Sequence, residues 1–259
     1  RAPGDSIGLA HMCAGKPHDW QEFPRGDLGI LAYLYKNRHT TPFEMCELVI
    51  DVKVPMDHWR QWIRHRTASV NEYSTRYSEA IDETAATAPG AWRAQGETNR
   101  QGSGKFLPMG DTGFSDDGGL TVADTQGCRL SRKERELHQY ARAIYEERLK
   151  MGVAKEQARK DLPLSTYTAA RWKCDLHNTL HFLSLRMHEH AQHEIRQYAN
   201  AVAEIVKAIW PRTYALFEEY TLGGVHFSRS ESVTLAGALR GRGLHEDLPG
   251  IYAKLRGSD

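Results

Sequence analysis

Between Cys46 and Val54 the side chains alternate, with Cys46, Leu48, Ile50, Val52 and Val54 on one side and Glu47, Asp51 and Lys53 on the other. A repeat of two is the signature of a half-buried β-strand, which offers one face to a core and the other to water. This is the clearest strand in the chain, and Pro55 ends it. Met56, Trp59 and Ile63 then fall at helical spacing, in a stripe whose C-terminal end is Arg64-His65-Arg66. The remaining periodic segments read as helices. Leu28, Leu31, Ala32 and Tyr35 follow Asp27 and predict a helix over 27–38. Ser131 and Glu134 have the spacing of a capping box, and Leu137, Tyr140, Ala141 and Ile144 continue a helix to about Gly152. A helical turn carries Arg159 before Pro163. Trp172, Leu176, Leu180 and Leu183 mark one core helix, and Ile195, Ala199, Val202, Val206 and Ile209 mark another. Pro211 opens a helix bearing Tyr214, Phe217 and Tyr220, and a last helix falls near 231–240. From 89 to 127 the chain carries nine glycines and no sustained period, so this is a long loop excursion, and connections of such length are usually functional or mobile.

Composition narrows the choice of partner. The 259 residues are 40% hydrophobic and 26% charged, enough for one core in a single domain spanning 1–259. With 34 basic and 33 acidic side chains, no net field draws the chain to nucleic acid or to a membrane surface. Cys13, Cys46, Cys128 and Cys174 lack CxxC spacing, which argues against a zinc knuckle and for reduced thiols. No apolar run approaches the roughly 18 to 20 residues needed to cross a bilayer. The opening Arg-Ala-Pro-Gly lacks a signal-peptide apolar region, so a cytoplasmic location is expected.

Against this ordinary background the stretch from Gln61 to Ser78 stands out, with three arginines, a histidine and a glutamate among small polar residues. Arg64, Arg66 and Arg76 lack glutamates at i+4, so they do not read as a merely solvated helical face. Guanidinium forks suit phosphate and carboxylate recognition. Ser74 has His65 and Glu72 near in sequence, yet a catalytic triad is defined by spatial geometry, and an anion-binding serine is the favoured reading. His177 and His181 lie at i, i+4 on one helical face, as a metal pair requires, and His188, His190 and His193 follow. No glutamate follows His177 to make an HExxH motif and no third ligand stands at fixed spacing, so no metal is assigned.

Arg64-His65-Arg66 followed by seven residues and Ser74 resembles the RHRxxxxxxxS signature of the flavin-dependent thymidylate synthases. Several further segments match that family in order: His39-Thr40-Thr41-Pro42-Phe43-Glu44, Gln61-Trp62, Ala158-Arg159 with Leu162-Pro163-Leu164, and Leu185-Arg186 followed by His190-Ala191-Gln192. The resemblance covers roughly residues 26 to 210. It implies an α+β fold, a twisted and mainly antiparallel sheet flanked by helices, in a homotetramer whose active sites mix residues from several subunits. The implied reaction moves a one-carbon unit from methylenetetrahydrofolate to C5 of dUMP, with the hydride supplied by FAD that NADPH has reduced and with no enzyme nucleophile. By motif position the resemblance implies that Gln61, Arg64, Glu72, Ser74, Thr75, Arg76 and Arg159 would surround the nucleotide, and that Arg186 would face the pyrimidine as the activating cation. By the same resemblance, Thr41, Arg64, His65, Arg66, Glu72, Asp175, His177 and His181 would contact FAD, with His39 and Glu44 nearby. Some members of the family methylate UMP instead, and that is the alternative substrate. A degenerate, inactive nucleotide-binding protein is a lesser one, since Thr41, Glu44, His65 and Arg66 all remain.

Overall fold

The computed structural model describes residues 25–96, 103–107 and 126–256. The expectations for the N-terminal segment and for most of the 89–127 excursion lie outside the described residues. Two compact units are present, 1–215 and 216–259.

In the first unit, helix α1 (Arg25–Lys36) and a short helix α2 (Thr41–Glu44) lead into strand β1 (Glu47–Pro55), where Leu48 and Val54 are buried and Glu47, Asp51 and Lys53 exposed, as the alternation predicts. Helix α3 (Met56–Trp62) follows directly. Its buried face is His58, Trp59 and Trp62, whereas Ile63 is 41% exposed, so the apolar stripe is one residue shorter than its spacing suggested. Arg64-His65-Arg66 consequently lies beyond the helix, in a turn that precedes strand β2 (Ser69–Glu72).

The sheet's middle strand escaped the sequence reading. Strand β5 (Tyr167–Asp175) pairs antiparallel with β1 on one side and with β2 on the other, giving the order β1-β5-β2. Trp172 therefore belongs to this strand, and the helix assigned to it begins only at Leu176, as α6 (Leu176–Arg186). Thr168, Ala170, Trp172 and Cys174 point into the core. On the solvent face opposite charges meet across the strands. Asp51 stands opposite Arg171 in the register, its carboxylate accepting from Arg171 Nε and Nη2 at 2.8 Å each, and Lys173 reaches Glu47 at 2.6 Å. Such pairs help fix register, because a one-residue slip would bury them.

An aromatic cluster joins the sheet to the helices. Trp62 of α3 stacks on Phe182 of α6 with ring centroids 4.9 Å apart and meets Trp172 of β5 edge-on at 5.6 Å. Tyr198, from helix α7 (His193–Ile209), closes the group at 6.2 Å from Trp62. Helix α7 buries Ile195, Ala199, Val202, Ala203 and Val206, the stripe its sequence foretold. Helix α8 (Pro211–Phe217) opens at its proline, also as expected.

The long helix α4 (Gln126–Lys150) corrects two expectations. Ser131 lies inside it and caps nothing. Its Oγ donates to the Thr87 carbonyl at 2.7 Å and accepts from Trp92 Nε1 at 2.9 Å, while Glu134 accepts from the Thr87 amide and hydroxyl. The Ser-x-x-Glu spacing thus serves to clamp residues 87–92 onto the helix. Leu137 and Tyr140 are exposed, at 60% and 67%, and the buried face is Gly127, Ser131, His138, Ala141 and Tyr145. At Gly127 a side chain is excluded, because a Cβ there would stand 2.1 Å from the Pro89 carbonyl oxygen. We expect Ser131→Ala to cost about 1–3 kcal/mol, since it removes the acceptor of the half-buried indole N–H of Trp92 and the donor to the Thr87 carbonyl, with faster amide exchange over residues 87–92 as the check.

A hairpin of β3 (Arg93–Gln95) and β4 (Ser103–Phe106) follows that clamped segment. Helix α4 ends at Lys150 and is followed by a turn in which Gly152 adopts φ +80°. A short helix α5 (Lys155–Ala158) and a 3₁₀ turn (Arg159–Asp161) then present Arg159. In the second unit, helix α9 (Arg229–Gly241) opens with a true capping box, Ser228 with Glu231, and two short helices follow, α10 (Leu244–Asp247) and α11 (Pro249–Arg256).

Candidate active site

The stretch from Gln61 to Ser78 is pinned at each step by backbone and core contacts. The His65 amide donates to the Trp62 carbonyl at 3.0 Å, and the Cys174 thiol donates to the Thr67 carbonyl at 3.3 Å. Burial pushes the Cys174 pKa up to about 11, so this anchor is a protonated donor at neutral pH. Strand β2 then pairs with β5 from Ser69 to Glu72, and the Tyr73 amide extends that pairing to Ala169. Past the strand the chain turns sharply, with the Ser74 hydroxyl accepting from the Arg76 amide at 3.3 Å.

Two groups of polar side chains result. The first lines a cavity of about 570 Å³. Four of the predicted nucleotide residues are there: Glu72, Ser74, Thr75 and Arg159. Arg159 Nη1 donates to Thr75 Oγ1 at 2.6 Å, and Thr168 Oγ1 donates to Glu72 Oε1 at 2.8 Å. Arg60, Tyr73, Lys160 and Tyr167 line the same space and were missed by sequence reasoning. Arg60 and Lys160 sit beside Gln61 and Arg159 in sequence, and that adjacency was the available signal. Alone, each reads as an ordinary solvated cation.

The second group gathers where α3 ends and α6 ends. Arg186 Nε donates to His65 Nε2 at 2.9 Å, and the His65 ring lies 5.0 Å edge-on from Phe182 and 6.0 Å from His181. Burial first, then the charges of Arg186 and His181, lower the His65 pKa to about 4, which keeps the ring neutral and its Nε2 an acceptor at pH 7. Arg186 is itself half-buried, and its pKa is lowered by burial and by neighbouring Arg64. Its hydrogen-bond partner, His65, is uncharged, and among the described residues no carboxylate pairs with Arg186, Arg64, Arg66 or Arg76. Gln61 reaches Gln192, just ahead of α7.

The alternative chemistries find no geometry among the described residues. His65 bonds to Arg186 and Glu72 to Thr168, so neither addresses Ser74 as a triad would require. His177 and His181 share a face of α6, but no cluster of three or more metal-ligating side chains exists among the described residues. Asp175 is the N-cap of α6, its carboxylate accepting from the Asn178 amide and side chain at 2.8 Å each. Thr41 and Glu44 sit on α2, which packs against α6. His39, 5.8 Å from Tyr33, precedes them.

The described residues form a mixed fold of helices and antiparallel sheet, with arginines that lack carboxylate partners among those residues and a cavity lined by Arg60, Arg159 and Lys160 together with Glu72 and Glu156, a donor set suited to an anionic ligand. The model of the thymidylate synthase complementing proteins matches residues 5–212. The flavin-dependent thymidylate synthase of Thermus thermophilus is 45% identical over 215 residues, covering 83% of this chain and 72% of that one. That of Gluconobacter oxydans is 42% identical over 228 residues, covering 87% and 70%. Among solved structures, PolB of Streptomyces cacaoi, a UMP/dUMP methylase bound with 5-Br dUMP, superposes with a TM-score of 0.67 at 27% identity, covering 85% of this chain and 92% of that one. This chain belongs to the flavin-dependent thymidylate synthase family.

Proposed function

We propose that the protein methylates dUMP at C5 to give dTMP, taking the carbon from methylenetetrahydrofolate. The observation that carries this reading is Arg186, a half-buried guanidinium beside Arg64 that leans on a neutral histidine and lacks a carboxylate partner among the described residues. Such a cation is stabilised by an anion. Facing the pyrimidine, it would hold the negative charge that spreads from N3 over the base and so make C5 nucleophilic toward the one-carbon unit. Glu72, Ser74, Thr75, Arg76 and Arg159 would bind the rest of the nucleotide, the arginines and the serine taking its phosphate, with Gln61 and Arg64 completing the set. The cavity supports this placement, with Arg159 already oriented by Thr75.

FAD fits the donor set at the turn after α3, where Arg64 and Arg66 are exposed guanidiniums with no carboxylate partner among the described residues. His39, Thr41, Glu44, Arg64, His65, Arg66, Glu72, Asp175, His177 and His181 would hold it. When bound, FAD supplies the hydride and is reduced again by NADPH. The protein's own work is positioning and charge stabilisation.

We further propose a single functional domain over 1–259, a twisted sheet, and a homotetramer with sites shared between subunits. The grouping of side chains supports sharing, because Gln61, Arg64 and Arg186 do not line the cavity that holds Glu72, Ser74, Thr75 and Arg159. No helix among the described residues is long and apolar enough to cross a membrane, and neither membrane nor nucleic acid is a proposed partner.

UMP is the second candidate substrate, favoured by the similarity to a UMP/dUMP methylase. The deciding experiment offers dUMP and UMP separately to the flavin-loaded protein with methylenetetrahydrofolate and NADPH. A product 14 mass units heavier from dUMP is expected. Methylation of UMP alone would transfer the proposal to the alternative substrate, and methylation of neither would overturn it.

A further inference from the structure

The long excursion touches the candidate site through a chain of side chains. Arg93, on β3, donates through Nε to Ser103 Oγ at 2.8 Å and through Nη1 to the Ala91 carbonyl at 3.3 Å, and its Nη2 pairs with the Glu194 carboxylate at the start of α7. Glu194 Oε2 accepts from Gln192 Nε2 at 2.9 Å, and Gln192 Oε1 accepts from Gln61 Nε2. The Arg93 side chain is 15% exposed and that of Glu194 30%, so water competes poorly for these contacts.

The chemistry of the chain gives it a direction. An ionised carboxylate only accepts, so Gln192 must turn its NH₂ toward Glu194. Its carbonyl oxygen then faces Gln61, which must answer with its own NH₂. The amide of Gln61, free to flip in isolation, has one orientation here, and its Oε1 has no hydrogen-bond partner among the described residues. Burial alone would raise the Glu194 pKa, but the hydrogen bonds from Arg93 and Gln192 hold it below the ordinary carboxylate value. The directing group is therefore charged at neutral pH.

We infer that Arg93, Glu194 and Gln192 are positioning residues that fix Gln61 with its carbonyl oxygen presented to substrate, as the acceptor of an N–H or O–H of the nucleotide. The inference rests on the proposed placement of Gln61 at the nucleotide. It assigns the hairpin of the excursion a task, which is to orient a recognition amide through an ion pair 101 residues apart in sequence. The donors that dUMP brings are the sugar hydroxyl and, before the base ionises at N3, the imide N3–H.

A double-mutant cycle tests this on the flavin-loaded protein, with dUMP affinity read by calorimetry alongside kcat and KM. Glu194→Gln removes the fixed direction, because an amide can either donate or accept. It should weaken dUMP about tenfold and raise KM, with kcat changed less than about twofold. In a Gln61→Ala background the same substitution should have no further effect. Gln192→Met, which breaks the chain without touching the ion pair, should repeat both results and serves should Glu194→Gln fail to fold. Full loss of affinity from either substitution in the Gln61→Ala background would overturn the relay while leaving Gln61 at the site. Unchanged dUMP binding by Gln61→Ala itself would overturn that placement, and the relay with it. N3-methyl-dUMP and the 2′,3′-dideoxy analogue separate the two donors: the one that Gln61 reads loses affinity in the wild type and loses little more when Gln61 is alanine.

Discussion

Arg186→Ala should lower turnover of dUMP by roughly 10²- to 10³-fold, the scale seen when one preorganised donor to a developing negative charge is removed. The fold should survive. Arg186 lies at the end of α6 and is only half-buried, and what it leaves behind is a neutral imidazole nitrogen that water can reach. Arg186→Lys keeps a charge but cannot reproduce a guanidinium that donates through Nε to His65 while holding its Nη groups for substrate, so it should recover only part of the loss. Turnover of the flavin-loaded variants, with melting temperature measured on the same samples, provides the check. If Arg186→Ala works at more than about a tenth of the wild-type rate, the activating cation is elsewhere.

The second large effect is on stability. Trp62 is 1% exposed and touches Trp59, Trp172, Phe182 and Tyr198, so it links α3, β5, α6 and α7. Trp62→Ala should cost about 3–5 kcal/mol, from lost transfer energy and from the cavity left behind. For a protein of this size that lowers the melting temperature on the order of 10 °C. Trp62→Phe should fall well short of that loss. It keeps a ring against Phe182 and removes an indole N–H that is buried without a hydrogen-bond partner among the described residues. A loss equal to that of alanine would mean that the stacking is not what holds these elements together. Activity should decline with stability, because the His65 amide hangs from the Trp62 carbonyl.

The contrast between β1 and β5 explains how much of this fold could be read in advance. Strand β1 alternates strong hydrophobes with charges, so its period is plain. The buried face of β5 is Thr168, Ala170, Trp172 and Cys174, side chains of middling hydropathy, and Trp172 falls four residues before Leu176, which mimics the start of a helix. The apparent capping box at Ser131 failed for a related reason. Its two residues were chosen for a tertiary contact with Thr87 and Trp92, and local spacing does not distinguish the two uses. At the site, contiguous residues were legible and converging ones were not. The turn from Arg64 to Arg76 stands in one run of sequence, and Arg159 and Arg186 were reached only through further segments that match the same family. The cavity-lining Arg60 and Lys160, and the chain from Arg93 to Gln61, depend on long-range placement. A lone arginine among glycines and a glutamate at the start of a helix are unremarkable until the fold sets them together.

The thiol of Cys174 has a practical consequence. Burial pushes its pKa up to about 11, so the thiol is protonated at pH 7. Oxidants and alkylating reagents attack the thiolate, so a buried thiol held protonated reacts slowly, and the bond that tethers the Thr67 carbonyl is protected with it. A maleimide or spin-label reagent would therefore spare this tether, and the turn that presents the arginines would keep its shape through redox changes that modify more acidic thiols.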